Sequence, residues 1–158
     1  MTNDSSSASD NTLGIKNDPK PRPSPGRREA FVGLIAPIGV DLELVVDALR
    51  QALNKVKYQT NPVHLTDIFR ENSDWYDVAF KDEVEKYRKY IKAGDKLCQE
   101  TGRKDVIALY DIAKLKKYFS RGDVHTLPES VVHIFRQIKR VEEIEAFSEV
   151  YDRNIMFI

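Results

Sequence analysis

The sequence predicts an α/β domain of three layers with a mainly parallel sheet. Short apolar runs at residues 30–35, 131–135 and 154–158 are typical of buried parallel strands. Segments with apolar residues at helical spacing lie between these runs. Because strands and helices alternate along the chain, we expect the helices to cover both faces of the sheet.

The turn and cap residues place the other elements. Asp41 follows the turn at residues 36–40 and is a suitable N-cap, as is Thr66 for the next short helix. Gly102 stands where a helix commonly ends. We predict, in chain order, a helix over 41–56, a strand over 58–65, a short helix over 67–70, and helices over 81–99, 104–119 and 139–151.

Composition limits the classes of function. The first 28 residues are rich in Ser, Asn, Asp and Pro, so we predict a disordered tail before a domain at 29–158. Lysines plus arginines equal aspartates plus glutamates, at 25 each, which gives no strong DNA-binding signal. No apolar run can span a bilayer and no secretory signal begins the chain, so no membrane partner is expected. The single cysteine, Cys98, allows no internal disulfide and favours a cytoplasmic location.

The loop after the first strand is the first candidate site. A phosphate-binding P-loop requires glycines, a lysine for the terminal phosphates and a Ser or Thr for magnesium. Gly39 is the one matching glycine, while Leu42 stands at the lysine position and Glu43 at the hydroxyl position. Asp41 and Glu43 also place carboxylates where a phosphate would use the helix N-terminus. We therefore expect an ordinary strand-to-helix turn rather than triphosphate binding of the standard P-loop kind.

A set of basic residues is the second candidate site. Arg136 and Lys139 follow the strand at 131–135 and precede a helix, the position where phosphates sit in nucleotide-binding α/β domains. Arginine also suits bidentate contact with phosphate. The alternative is a solvated helix start. The full set comprises Lys96, Arg103, Lys104, Arg121, Arg136, Lys139 and Arg140.

The other reactive residue types favour structural roles. His133 alternates with apolar neighbours, so we predict a packed or edge histidine rather than a catalyst. Cys98 lies on the apolar stripe of a helix, which predicts a buried structural thiol. No Cys/His cluster has metal-ligand spacing. Trp75 and Tyr76, in the loop at 71–80, either stack on a base or anchor the loop to the core, and the sequence leaves both open.

Several stretches resemble one known family. EAFVGLIAPIGVDLELVVDAL, residues 29–49, resembles the opening of the anti-phage dCTP/dCMP deaminases, where a hydrophobic strand leads into a G-x-x-G-x-D-like turn. Gly39 and Asp41 match that turn, and Ala36 replaces its first glycine. Tyr58 with VHLT resembles the family's second strand and cap, and KAGDKL and GRKDVIA resemble its central helical stretch.

The last stretch carries most of the resemblance. VVHIFRQIKRVEEIEAFSEVYDRNIMFI, residues 131–158, is similar to the family's strand, its R-S-L-K-x-P-E-E-V helix, a Y-G turn and an F-F-L-I strand. Gln137, Val141 and Asp152 depart from the pattern, Asp152 in place of the turn glycine. The matching residues are Arg136, Lys139, Glu142, Glu143 and Tyr151.

The resemblance implies a fold and a set of binding residues. These deaminases join an N-terminal P-loop-kinase-like domain to a C-terminal zinc deaminase, so the implied fold is P-loop-NTPase or nucleotide-kinase-like, truncated before the deaminase domain. The deaminase centre needs H-x-E and P-C-x-x-C, and neither occurs here. We therefore expect no catalytic residue and no cofactor in this chain, with zinc in the missing domain. The implied nucleotide- or phosphate-binding residues are Ala36, Gly39, Asp41, Arg103, Arg136 and Lys139.

The resemblance also implies a function. It predicts a nucleotide-sensing, regulatory domain of an enzyme that deaminates dCTP or dCMP to dUTP or dUMP in anti-phage defence. The expected ligand is a deoxynucleotide of the dCTP, dCMP or dTTP class, and the full-length protein is expected to be a homo-oligomer. The alternatives are a stand-alone nucleoside or nucleotide kinase-like P-loop protein and a degenerate interaction domain.

Overall fold

A computed structural model describes residues 28–37, 39–72, 79–120 and 130–158 of the chain. Four strands form one all-parallel sheet in the order β2-β3-β1-β4. The α/β class and the parallel sheet are thereby confirmed. The strands are β1 (Arg28–Ile35), β2 (Gln59–His64), β3 (Ser130–Ile138) and β4 (Ile155–Phe157).

The helices lie close to their predicted positions. Asp41 caps the first helix, because its carboxylate accepts the Glu43 N–H at 3.0 Å. Gly102 ends the third helix with a positive φ of 67°. Thr66 stands at the N-cap position of α2, as predicted, but its side chain makes no capping hydrogen bond with the described residues. The helices are α1 (Leu42–Lys55), α2 (Asp67–Glu71), α3 (Glu83–Thr101), α4 (Val106–Ser120) and α5 (Val141–Tyr151).

Helices pack on both faces of the sheet, consistent with three layers. On one face, Val46 of α1 is buried against Val32 of β1 and Ile134 of β3. The opposite face holds a larger core, in which Phe135 of β3 stacks on Phe147 of α5 with ring centroids 4.2 Å apart. Because successive side chains of a strand point to opposite faces, β1 and β3 supply both cores.

Strand β3 carries a bulge near its carboxyl end. Gln137 has a φ of 68°, a left-handed conformation that is uncommon for a residue other than glycine, and the register with β1 shifts between Gly33 and Ile35. The extra residue brings Ile138 to the same core as Phe135. Bulges of this kind change where a side chain points and are frequent beside functional sites.

Three expectations need correction. Strand β3 extends beyond residue 135, so Arg136 lies within the strand rather than after it. Strand β1 begins at Arg28, the last residue of the predicted tail. Cys98 is half-buried rather than buried, and desolvation raises the pKa of its thiol.

Candidate functional site

The strand order creates a crevice at the carboxyl edge of the sheet. After β1 the chain enters α1 on one face, and after β3 it enters α5 on the other. The two connections therefore leave neighbouring strands in opposite directions, and ligands of open α/β sheets bind at such a point. A cavity of about 540 Å³ lies there.

The cavity draws its lining from several parts of the chain, which include α2 and α4. The β1–α1 loop contributes Gly39, the end of β2 contributes His64, and α3 contributes Tyr90. The end of β3 and the start of α5 contribute the largest share of the charge. The charged side chains that line the cavity are Glu43, Arg70, Lys86, Arg136, Lys139, Arg140 and Glu143. Five cations against two carboxylates favour an anionic ligand.

Arg136 is a buried cation at the base of the cavity. Its side chain is 7% exposed, and its Nη1 donates to Glu43 Oε1 at 2.7 Å. The same nitrogen lies 2.9 Å from Nε2 of His64. Burial, and then the neighbouring guanidinium, lower the pKa of His64. His64 is therefore held neutral at physiological pH and accepts this hydrogen bond through Nε2.

Lys139 joins two loops at the mouth of the cavity. Its Nζ donates to the main-chain carbonyl oxygen of Ala36, across the gap between the β3–α5 and β1–α1 connections. Desolvation lowers the pKa of the ammonium group, and the nearby carboxylate of Glu143 partly opposes that shift. Ala36 therefore contacts Lys139 through its backbone, and it does not itself line the cavity.

Glu143 and Arg140 form the start of α5. The Glu143 side chain is 2% exposed, and its Oε2 accepts the N–H groups of Lys139 at 2.9 Å and Arg140 at 3.1 Å. Arg140 reaches across to α3, where it donates to Asp95 at 2.7 Å and lies 3.6 Å from a Cβ built on Gly94. The buried carboxylate occupies the helix N-terminus, so a ligand anion would meet side chains rather than these N–H groups.

The β1–α1 loop does not form a standard phosphate cradle. Gly39 lines the cavity with a φ of 95°, a conformation that favours glycine. Asp41 caps α1, and Leu42 is buried in the core beneath that helix. The expectation of an ordinary strand-to-helix turn therefore agrees with the geometry of these residues.

Helix α3 supplies an aromatic wall that the sequence analysis missed. Tyr87, Tyr90 and Ile91 line the cavity from this helix, and Tyr90 stacks on Phe69 with ring centroids 6.1 Å apart. The spacing of residues 87, 90, 91 and 94 places them on one helix face, which was the available signal. That this face meets a cavity depends on the tertiary packing of α3.

Other predicted candidates lie away from the cavity or outside the described residues. Arg103 does not line the cavity; it donates to both oxygens of Asp105, at 2.9 and 2.6 Å, on the surface. His133 is packed, stacked on Phe31 with centroids 5.2 Å apart, on a strand inside the sheet rather than at its edge. The residues that fall outside the described ranges are Trp75, Tyr76 and Arg121.

Asp111 on α4 is a further buried acidic residue, which the sequence analysis missed. The residue is 1% exposed, and neither carboxylate oxygen has a hydrogen-bond partner among the residues that the structure describes. Desolvation raises its pKa to about 7, opposed by Lys114 and reinforced by the carboxylates of Asp67 and Glu71. A carboxyl group in this setting is costly to ionise.

The described part of the chain has neither a metal cluster nor a membrane helix. Within it, no three His, Cys, Asp or Glu side chains converge as a zinc site requires. The helices within the described ranges are too short or too polar to cross a bilayer.

The chain is an α/β domain with a cation-lined cavity at the carboxyl edge of a parallel sheet. Comparisons with protein-family models, with curated proteins and with solved structures found no match.

Proposed function

We propose that this chain is a nucleotide-sensing domain that binds a deoxycytidine nucleotide at the carboxyl edge of its sheet. The observation that carries the proposal is that Arg136, Lys139 and Arg140 line the same cavity as Tyr87 and Tyr90. Guanidinium and ammonium groups suit a phosphate, and an aromatic wall suits a base. The cavity volume of about 540 Å³ is typical of small-molecule sites.

The sequence resemblance extends the proposal to a biological role. We propose that the domain is P-loop-kinase-like and regulates a zinc-dependent deaminase that removes dCTP or dCMP during anti-phage defence. The deamination itself would belong to a separate domain, since this chain lacks H-x-E and P-C-x-x-C. The parallel α/β sheet and the cavity at its carboxyl edge support this assignment.

Binding without phosphoryl transfer is the activity we propose for the cavity. Kinase chemistry uses a lysine on the terminal phosphates and a hydroxyl on magnesium. The corresponding positions hold Leu42, which is buried, and Glu43, which pairs with Arg136. We therefore expect no transfer of phosphate from ATP to deoxycytidine or dCMP.

Calorimetry with the purified chain tests the binding proposal. Titrations with dCMP, dCTP and dTTP are compared with deoxycytidine, which has the base and sugar but no phosphate. We expect at least one phosphate-bearing ligand to bind about tenfold or more tightly than the nucleoside. A difference of this size corresponds to the free energy of one charge-assisted hydrogen bond. Absence of binding by every nucleotide would contradict the proposal and favour an interaction domain without a ligand.

The link to a deaminase has its own test. The codons that follow Ile158 in the natural reading frame are read for H-x-E and P-C-x-x-C. Their presence would support a regulatory domain joined to its catalyst. A frame without them would contradict the deaminase assignment and leave nucleotide binding as a separate property of the cavity.

A further inference from the structure

Arg136 and Glu43 form an ion pair between a buried cation and an exposed anion. The Arg136 side chain is 7% exposed, whereas the Glu43 side chain is 65% exposed, and the paired atoms lie 2.7 Å apart. The guanidinium is fixed inside the domain by the strand that carries it. The carboxylate is at the surface, in the first turn of α1. One partner is therefore fixed, and the other can rotate into solvent.

The guanidinium has more hydrogen-bonding capacity than its neighbours use. Arg136 has five N–H donors. Nη1 serves both Glu43 and the neutral His64, while the buried Nε has no hydrogen-bond partner among the described residues. Glu43 is the one carboxylate within ion-pair distance of Arg136 in the described part of the chain. A second anion at this position would satisfy a group that is already buried and charged.

Helix α1 does not need the Glu43 side chain for its cap. The N–H of Glu43 donates to the Asp41 carboxylate at 3.0 Å. The side chain of Leu42, also in the first turn, is buried in the core. Rotation of Glu43 into solvent therefore leaves the cap in place.

We infer that Glu43 is an autoinhibitory counterion, which occupies the place of a ligand's phosphate on Arg136 and is displaced when that phosphate binds. This inference rests on the proposed nucleotide site. Displacement of a resident carboxylate weakens the apparent affinity for the ligand. The domain then reaches half-saturation at a higher nucleotide concentration than it would without Glu43, which is a useful property in a sensor of nucleotide supply.

The test uses inorganic pyrophosphate as the probe, titrated by calorimetry into the wild-type chain and three variants. Glu43→Gln removes the competing charge, and Glu43→Asp keeps the charge but shortens its reach by one methylene. Asp47→Asn is the matched control, because it removes one negative charge from the same helix at a residue paired with the exposed Arg50. Thermal melts with and without pyrophosphate accompany each titration.

The inference predicts that Glu43→Gln binds pyrophosphate roughly three- to thirtyfold more tightly than wild type, and Glu43→Asp to an intermediate extent. Asp47→Asn should stay within about twofold of wild type. Because the buried Arg136 is left without a carboxylate partner, Glu43→Gln should have a lower melting temperature than wild type without pyrophosphate. Addition of pyrophosphate should then raise its melting temperature more than it raises that of wild type.

Three results would overturn the inference in distinguishable ways. If wild type and both Glu43 variants bind pyrophosphate equally, the carboxylate is not a competitor, while the proposed anion site stands. If no variant binds pyrophosphate or a nucleotide, the inference and the proposed function fail together. If Asp47→Asn increases the affinity for pyrophosphate as much as Glu43→Gln does, the effect comes from net charge alone, and this result also contradicts the inference.

Discussion

The ammonium group of Lys139 donates a hydrogen bond to the main-chain carbonyl oxygen of Ala36. This bond joins the loop after β3 to the loop after β1, two segments that are 103 positions apart in the sequence. Because a lysine ammonium has three N–H donors, two remain for a ligand. Lys139 thus connects the two loops and presents positive charge at the mouth of the cavity.

Replacement of Lys139 by glutamine is expected to weaken nucleotide binding. The change removes a positive charge and its hydrogen bonds from the cavity, so affinity for dCMP or dCTP should fall by about tenfold. Calorimetry measures the change, with Arg103→Gln as the control. Arg103 pairs with Asp105 outside the cavity, so its replacement should leave affinity unchanged. The reverse result, with Arg103 required and Lys139 dispensable, would place the site elsewhere.

Asp111→Asn is expected to stabilise the protein increasingly as pH rises. The pKa of Asp111 is raised to about 7 from 3.8, so the folded state binds more protons than the unfolded chain between those values. The contribution of Asp111 to the free energy of unfolding is fully present below its pKa in the unfolded chain. That contribution is lost as pH rises through its pKa in the folded protein. The free energy of unfolding of the variant, relative to that of wild type, should rise by roughly 2–3 kcal/mol between about pH 5 and pH 8. Urea unfolding at both pH values checks this, and a constant difference would contradict it.

His64→Gln is expected to have the opposite pH dependence. Burial and Arg136 lower the pKa of His64, so the unfolded chain binds more protons than the folded protein near pH 6. The contribution of His64 to the free energy of unfolding is present above its pKa in the unfolded chain. That contribution is lost as pH falls through its pKa in the folded protein. Glutamine keeps a neutral acceptor for Arg136, so the variant should lose less stability than wild type between about pH 7.5 and pH 5. If the stability of the variant and of wild type falls equally with pH, the claim that the pKa of His64 is lowered in the folded protein is refuted.

Gly33→Ala is expected to destabilise the sheet. A Cβ at this position would lie 2.5 Å from Phe157 and 2.8 Å from Ile138, closer than packed carbon atoms allow. The cost should be about 1–3 kcal/mol. Gly94→Ala is the control, because a Cβ there would meet its nearest atoms at 3.6 Å inside helix α3, where alanine is favoured over glycine. Denaturant unfolding measures both, and equal stability of the two variants would contradict the packing argument.

Local signals in the sequence located most elements of the fold. The apolar runs marked β1, β3 and β4, Asp41 marked the start of α1, and Gly102 marked the end of α3. These features depend on neighbouring residues and can be predicted without tertiary structure. The bulge at Gln137 could not, because glutamine is not a residue type that favours a positive φ.

The candidate site was predicted in part. Gly39, Arg136 and Lys139 follow or end strands, and the rule that places ligands beyond parallel strand ends brought them together. The ion pair between Arg136 and Glu43 joins residues 93 positions apart, so no local sequence pattern could predict it. The contribution of α3 was likewise set by how that helix packs.

Amide chemical-shift mapping by NMR tests most directly the claim that this domain binds nucleotides at the carboxyl edge of its sheet. The uniformly ¹⁵N-labelled chain is titrated with dCMP and, separately, with dCTP. We predict that shift changes concentrate at Gly39, Gly94, Lys139 and Arg140, which surround the cavity. Unchanged spectra with both nucleotides, or changes clustered around Arg103 and the opposite end of the sheet, would contradict the claim.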